Sequence, residues 1–247
     1  MSGHSKWNNI KRKKEKTDNA RAAVFTKVGR EIAVAVKSGG PDPAGNYKLA
    51  AAVAKAKAMN VPNDNIERII KKAAGDSDSA NYEEIVYEGY GPCGIAVIVE
   101  TLTDNRNRTA GDVRHYFDKY RGNMGQSGSV MFMFSRAGVI LVDREDTDEE
   151  KLMDDALNAG AEDILTDDEA VFEVRTGVND VGAVSEELSG MGYNILDAGA
   201  QYIPSTTVKL TDPDDIKAMG RMLEAFEDND DIQNVWHNWE NEEDYEG

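Results

Sequence analysis

Apolar residues recur at helical spacing through TDNARAAVFTKVGREIAVAVKSGG, where Phe25, Val28, Ile32 and Val36 share one face. This predicts a helix that Thr17 or Asp18 caps and Gly39-Gly40 stops. A second helix is expected from Asp42-Pro43, a cap followed by proline in the first turn; it carries Leu49 and Val53 and ends before Asn60 and Pro62. In the third, Asp64 and Glu67 form a capping-box pattern, Ile66, Ile69, Ile70 and Ala73 line one face, and Gly75 closes it. Three short helices with Ala-rich faces make a small helical domain, and GDSDSAN is its linker.

From residue 82 the period changes to that of strands. YEEIVYEGYG and GIAVIVETL read as strands, TAGDVRHYFDKY as a helix, and the apolar run SVMFMF as a buried strand, a reading that periodicity alone does not separate from a helix. GVILVDRE, EEKLMDDALNAG, AEDILT, AVFEVRT, VGAVSEELSGMG and YNILDAGAQYI then follow in β-α-β-β-α-β order, that of a ferredoxin-like unit. TTVKLTD, the helix around IKAMGRMLEAFE and IQNVWHNW add a strand, a helix and a strand that complete the sheet begun at residue 82. The fold class is therefore α+β. The expected domains are a basic arm (1–16), a helical domain (17–78), a discontinuous α+β domain (79–135 and 205–247) and an inserted ferredoxin-like domain (136–204). The acidic EEDYEG at the end is expected to fray.

Charge changes this picture from architecture to partners. The formal net charge of the 247 residues is −18, yet residues 1–75 hold 16 Lys/Arg against 6 Asp/Glu, while the rest hold 12 against 40. Seven of the thirteen residues in HSKWNNIKRKKEK are Lys, Arg or His. Such asymmetry points to a nucleic-acid-facing module on an acidic body. Lys6, Lys11, Arg12, Lys13, Lys14 and Lys16 can neutralise phosphates, and Trp7 can stack on an unpaired base or pack against the helical domain. KRKK also fits a nuclear-import signal. Lys27 and Arg30 extend the basic surface onto the first helix. TDNRNRTAGDVRHYF offers a second phosphate contact through Arg106, Arg108 and Arg114, with Thr109 and Asp112 as a capping-box-like helix start. The alternative there is a solvated face with local ion pairs.

Other chemistry finds little support. GYGPCG matches GxGxxG formally, but a β-branched strand follows it instead of a phosphate-binding helix, so it reads as a hairpin. GNMGQSGS lacks the Gly-Lys-Ser/Thr ending of a phosphate loop. The single Cys93 and the scattered His4, His115 and His237 make neither a disulfide nor a metal site, so no metal and no cofactor is expected. No nucleophile has a recognisable partner, and the chain is expected to be no enzyme. No apolar run reaches the roughly 18–20 residues of a spanning helix and no apolar signal follows the basic start, so no membrane partner is expected and the cytosol is the expected compartment.

GHSKW (3–7), FTKVGREI (25–32), the GG-DP turn (39–43), VPNDNIERIIKK (61–72), YEGYGP (87–92) and TDNRNRT (103–109) together resemble the YebC/PmpR proteins. GNMG with GSV (122–130) and IPST (203–206) extend the likeness along the chain. Cys93 stands where that family's GYGPGG pattern has glycine. The resemblance implies three domains: helical, middle α+β, and inserted ferredoxin-like. It also implies nucleic-acid work, divided between two kinds. Family members are labelled probable transcriptional regulators, some binding promoter DNA, whereas relatives include mitochondrial translational activators and ribosome-linked proteins that relieve stalled peptide synthesis. The expectation is a regulator of gene expression that binds DNA and controls transcription. The alternative is a translation factor on ribosomal RNA, whose acidic body faces basic ribosomal proteins. The oligomeric state is left open.

Overall fold

The computed structural model describes residues 18–75 and 82–245. The chain is α+β and its described residues divide into two compact units, one of residues 133–206 and the other of residues 18–75, 82–132 and 207–245. In the larger unit α1 (Asp18–Gly39), α2 (Tyr47–Ala58) and α3 (Asn63–Gly75) bury Val28, Ile32, Val36, Leu49, Val61 and Ile66 between them. The second helix starts later than Asp42-Pro43 suggests. The Asp42 carboxylate accepts the Ala44 N–H at 3.0 Å in a turn, and Asn46 is the true cap. Its Oδ1 accepts the Leu49 N–H, while its Nδ2 donates to the carbonyls of Ala35 and Gly40. One buried amide thus caps α2 and ties it to the end of α1.

In the same unit β1 (Glu83–Tyr90), β2 (Ala96–Thr103), β3 (Asn123–Met124) and β8 (Ile232–His237) form an antiparallel sheet in the order β3-β1-β2-β8. Helices α4 (Arg106–Lys119) and α7 (Pro213–Glu227) contribute Val113, Phe117, Met219, Met222 and Phe226 to a core shared with Ile95, Val97 and Val99. The β1–β2 connection is the glycine-rich hairpin: Gly91 N–H reaches the Ile95 carbonyl at 2.7 Å across the Pro92–Gly94 turn. Cys93 sits there at φ 54°, a left-handed conformation that glycine adopts freely and an L side chain only at a cost of about 1 kcal/mol.

The smaller unit has β4 (Phe134–Asp143), α5 (Glu149–Asn158), β5 (Asp163–Leu165), β6 (Val171–Thr176), α6 (Val181–Gly190) and β7 (Ile195–Pro204). Its strands are antiparallel in the order β5-β6-β4-β7, the ferredoxin-like arrangement. Ile140, Val142, Phe172 and Val174 meet Leu152, Ala156, Val184 and Leu188 of the two helices in one core.

Three local expectations are corrected. SVMFMF is no buried strand: Met131–Met133 is a 3-10 turn, the strand begins at Phe134, and Phe132 is 76% exposed. TTVKLTD makes only an isolated bridge, Val208 to Trp239. The acidic end does not fray through residue 245: Trp239, Asn241 and Glu242 are buried. The Asn241 side chain exchanges hydrogen bonds with the backbone of Leu210 and accepts from the Trp239 indole.

Tyr245 packs over Gly220 on α7, where a Cβ would stand about 2.4 Å from its ring. Gly220→Ala should therefore expel Tyr245. Alanine's helix preference, worth roughly 1 kcal/mol, offsets much of the loss. The expected result is faster amide exchange over residues 239–245 with global stability changed by less than about 1 kcal/mol. Unaltered exchange there would show that the ring yields without detaching.

Candidate nucleic-acid interface

The start of α4 is built from TDNRNRT. Asn105 caps the helix by accepting the Arg108 N–H at 3.1 Å, and its own N–H donates to Thr103 Oγ1 at 2.9 Å. The helix begins at Arg106, four residues before the Thr109 capping-box reading places it. Thr109 is interior instead, fully buried, and donates to a carboxylate that arrives from just before β8.

That carboxylate is Asp231. Its oxygens accept from Arg108 Nη2 at 2.7 Å and Nε at 3.2 Å, from Arg30 Nη1 at 2.6 Å, from Thr109 Oγ1 at 2.7 Å and from Thr103 Oγ1 at 3.2 Å. The side chain is 4% exposed. Burial alone would raise its pKa, but the Arg108, Thr109 and Arg30 hydrogen bonds outweigh burial and hold it down at about 2. Arg30 also donates to the carbonyls of Leu102 and Asp230, and Lys27 Nζ donates to the Glu227 carbonyl at 2.5 Å. These contacts fasten α1 to the α+β part of the same unit.

The sequence-predicted basic residues are thereby sorted. Arg30 and Arg108 converge on Asp231, and Lys27 lies beside them on the end of α7. Arg30, at 15% side-chain exposure, has little room for a phosphate; Arg108, at 45%, also pairs with Asp104 and keeps an outward edge. Arg106 and Arg114 are exposed, and among the described residues neither is held in an ion pair. They stand on α4 two turns apart, about 12 Å along the helix. Lys6, Trp7, Lys11, Arg12, Lys13, Lys14 and Lys16 lie outside the described residues. The residue that sequence reasoning missed is Asp231, one acid among 46, with no local signal to mark it.

A second carboxylate also shapes a loop. Glu88, 5% exposed on β1, accepts the N–H groups of Gly128 at 2.6 Å and of Val130 and Met131 at 2.8 Å. Burial pushes its pKa up, but those three N–H groups bring it below the usual carboxylate value. Tyr90 donates from its hydroxyl to the Ser129 carbonyl at 2.7 Å. GNMGQSGSV is thus a rigid loop organised around a buried charge, not a phosphate cradle. Among the described residues no group of three His, Cys, Asp or Glu side chains is arranged to hold a metal, and no helix is long and apolar enough to cross a membrane.

Known proteins match the chain along its whole length. The model of the TACO1/YebC N-terminal domain covers residues 5–76, and that of the TACO1/YebC second and third domain covers residues 82–239. A probable transcriptional regulatory protein of Acetivibrio thermocellus is 56% identical over 240 residues, 97% of this chain and 99% of its own. One of Finegoldia magna, with the same description, is 54% identical over 98% of this chain and all of its own. The crystal structure of the conserved hypothetical protein Aq1575 from Aquifex aeolicus superposes with a TM-score of 0.82 at 42% identity, covering 91% of this chain and 92% of that one. With the α+β fold, the TDNRNRT helix start and these matches in hand, the chain belongs to the TACO1/YebC family.

Proposed function

We propose that the protein is a cytosolic, non-enzymatic regulator that binds nucleic acid, with DNA as its ligand and transcription as the process controlled. The observation that carries this reading is the segregation of charge, 16 Lys/Arg against 6 Asp/Glu in residues 1–75 of a chain whose net charge is −18. Phosphate affinity follows such a block directly, because each neutralised phosphate releases counterions. The description of its relatives as transcriptional regulatory proteins supports the same reading. Lys6, Lys11, Arg12, Lys13, Lys14 and Lys16 make the principal grip, and Arg106 and Arg114 make a second contact. Arg108 adds its outward edge, while Arg30 and Lys27 act by fixing α1. A footprint on a promoter fragment, with no co-sedimentation with ribosomes at moderate salt, is the expected result; the reverse pattern would overturn it.

A second reading, a ribosome-associated translation factor, is favoured by the unit of residues 133–206, which holds 18 Asp/Glu and 4 Lys/Arg. Such a surface repels bulk RNA and suits basic ribosomal proteins. Trp7 separates the two readings, since stacking needs an exposed base that an undistorted duplex does not supply. On the ribosomal reading, Trp7→Ala weakens ribosome binding by roughly 1–3 kcal/mol and leaves duplex binding nearly unchanged. Lys13→Ala and Lys14→Ala weaken both alike. Matched titrations at one salt concentration decide. Equal loss on both ligands makes Trp7 a packing residue and returns the advantage to DNA.

A further inference from the structure

We propose that Phe132 is a base-stacking anchor for an unpaired nucleotide, a contact that rests on the nucleic-acid reading and specifies one ligand group within it. Of the six phenylalanines, Phe117, Phe172 and Phe226 are fully buried and Phe25 and Phe134 are partly covered; Phe132 is 76% exposed. Its exposure is built into the loop. Val130, two residues earlier, is fully buried, and the N–H groups of Gly128, Val130 and Met131 are all bound by the Glu88 carboxylate. Ser129 is held by Tyr90, and Gly125 N–H donates to the Glu88 carbonyl at 2.8 Å. Gly125 packs closely on Ser129, whose Oγ would stand 2.4 Å from a Cβ there. The backbone up to the ring is therefore fixed before any ligand arrives, which lowers the ordering cost of binding.

The surroundings select the ligand. Residues 122–132, GNMGQSGSVMF, contain no Lys, Arg, Asp or Glu, so the loop itself holds no phosphate. Exposed Gln126, Ser127 and Gly128 precede the ring and supply neutral hydrogen-bonding groups. Val86, at 37%, is the one other large apolar side chain of this unit that is exposed among the described residues. Two such residues are too few for the apolar centre of a protein interface, whereas a base needs only one ring face. A single aromatic on a rigid neutral loop fits the planar face of a base in single-stranded RNA or DNA.

The test uses the full-length chain in fluorescence-anisotropy titrations with a labelled 12-nucleotide oligo(U), a labelled 12-nucleotide oligo(A) and a 12-base-pair duplex. Phe132→Ala is expected to weaken binding of the single strands by roughly 5- to 150-fold. Phe132→Leu should lose nearly as much, Phe132→Trp should restore binding, and the duplex should be unaffected. Because the ring releases no counterions, the slope of log affinity against log salt should stay as in the parent. Single-strand affinity unchanged in Phe132→Ala, or fully retained in Phe132→Leu, overturns the stacking role while leaving the nucleic-acid reading intact. A parent protein that binds none of the three probes removes the underlying reading and this inference together.

Discussion

Replacing Asp231 with alanine is expected to destabilise the protein by about 3 kcal/mol, measured by urea unfolding at neutral pH. Removing one partner of a buried ion pair typically costs about 3–5 kcal/mol, because the other charge is left unsatisfied. The lower end applies here. Arg108 is 45% exposed and keeps Asp104, and Arg30 keeps the carbonyls of Leu102 and Asp230. Thr109 and Thr103, both fully buried, can still bond each other at 2.7 Å. Asp231→Asn, which keeps the shape and removes the charge, should cost about 2 kcal/mol. That figure follows from the drop in pKa from 3.8 to about 2 at 1.36 kcal/mol per pH unit. The sign is fixed by linkage: a carboxyl whose pKa is lowered by folding stabilises the native state above its unfolded pKa. This contribution is lost as pH falls through about 2. The gap between the parent and Asp231→Asn should therefore be constant above about pH 5 and close steadily below pH 4. A gap that persisted to pH 2 would mean the Asn variant loses packing and not charge.

The same aspartate marks where the sequence stops being legible. Helix α1 could be read because four apolar residues and two glycines specify it locally, and the ferredoxin-like order could be read because each element carries its own period. The start of α4 could not. Asn105 and Thr109 are both cap-type residues, and what assigns Thr109 to the interior is a carboxylate 122 positions further along the chain. Arg30 and Arg108 suffer likewise: a count of charges treats every arginine as surface, and only long-range pairing reveals that these two meet one buried acid. SVMFMF shows a different failure. An apolar run has no period that separates strand from turn. The deciding group is Glu88, whose carboxylate collects three N–H groups that a strand would have paired with a neighbour. The late start of α2 belongs with these, since Asp42-Pro43 and Asn46 are both acceptable caps and only the carbonyls at the end of α1 choose between them. Polar side chains acting at a distance settled each boundary that the apolar pattern left ambiguous.

Deleting residues 1–16 should abolish most nucleic-acid affinity without unfolding the protein, because the segment precedes α1. The parent is expected to lose affinity for duplex DNA with a log–log salt slope near −4 to −5, as four to six neutralised phosphates would give at about 0.9 per contact. On a single strand the slope should be shallower, about −3 to −4. The structure shifts where that slope comes from. Lys27 and Arg30 already bond Glu227 and Asp231, so releasing them to phosphate would break contacts that hold α1 in place. Six Lys/Arg residues stand in the arm, whereas on α4 Arg106 and Arg114 are exposed and unpaired among the described residues. The truncated chain should therefore retain a slope of only about −1 to −2 on the duplex. Its affinity at 50 mM salt should fall by roughly 10²–10³, because three or four phosphate contacts vanish together. Circular dichroism and urea midpoints unchanged from the parent would certify that the fold is intact. A truncated chain that keeps the full slope would move the grip onto α4 and the helical surface, and the arm's positive charge would then serve another partner. A parent with a flat salt response would remove phosphate from the account altogether.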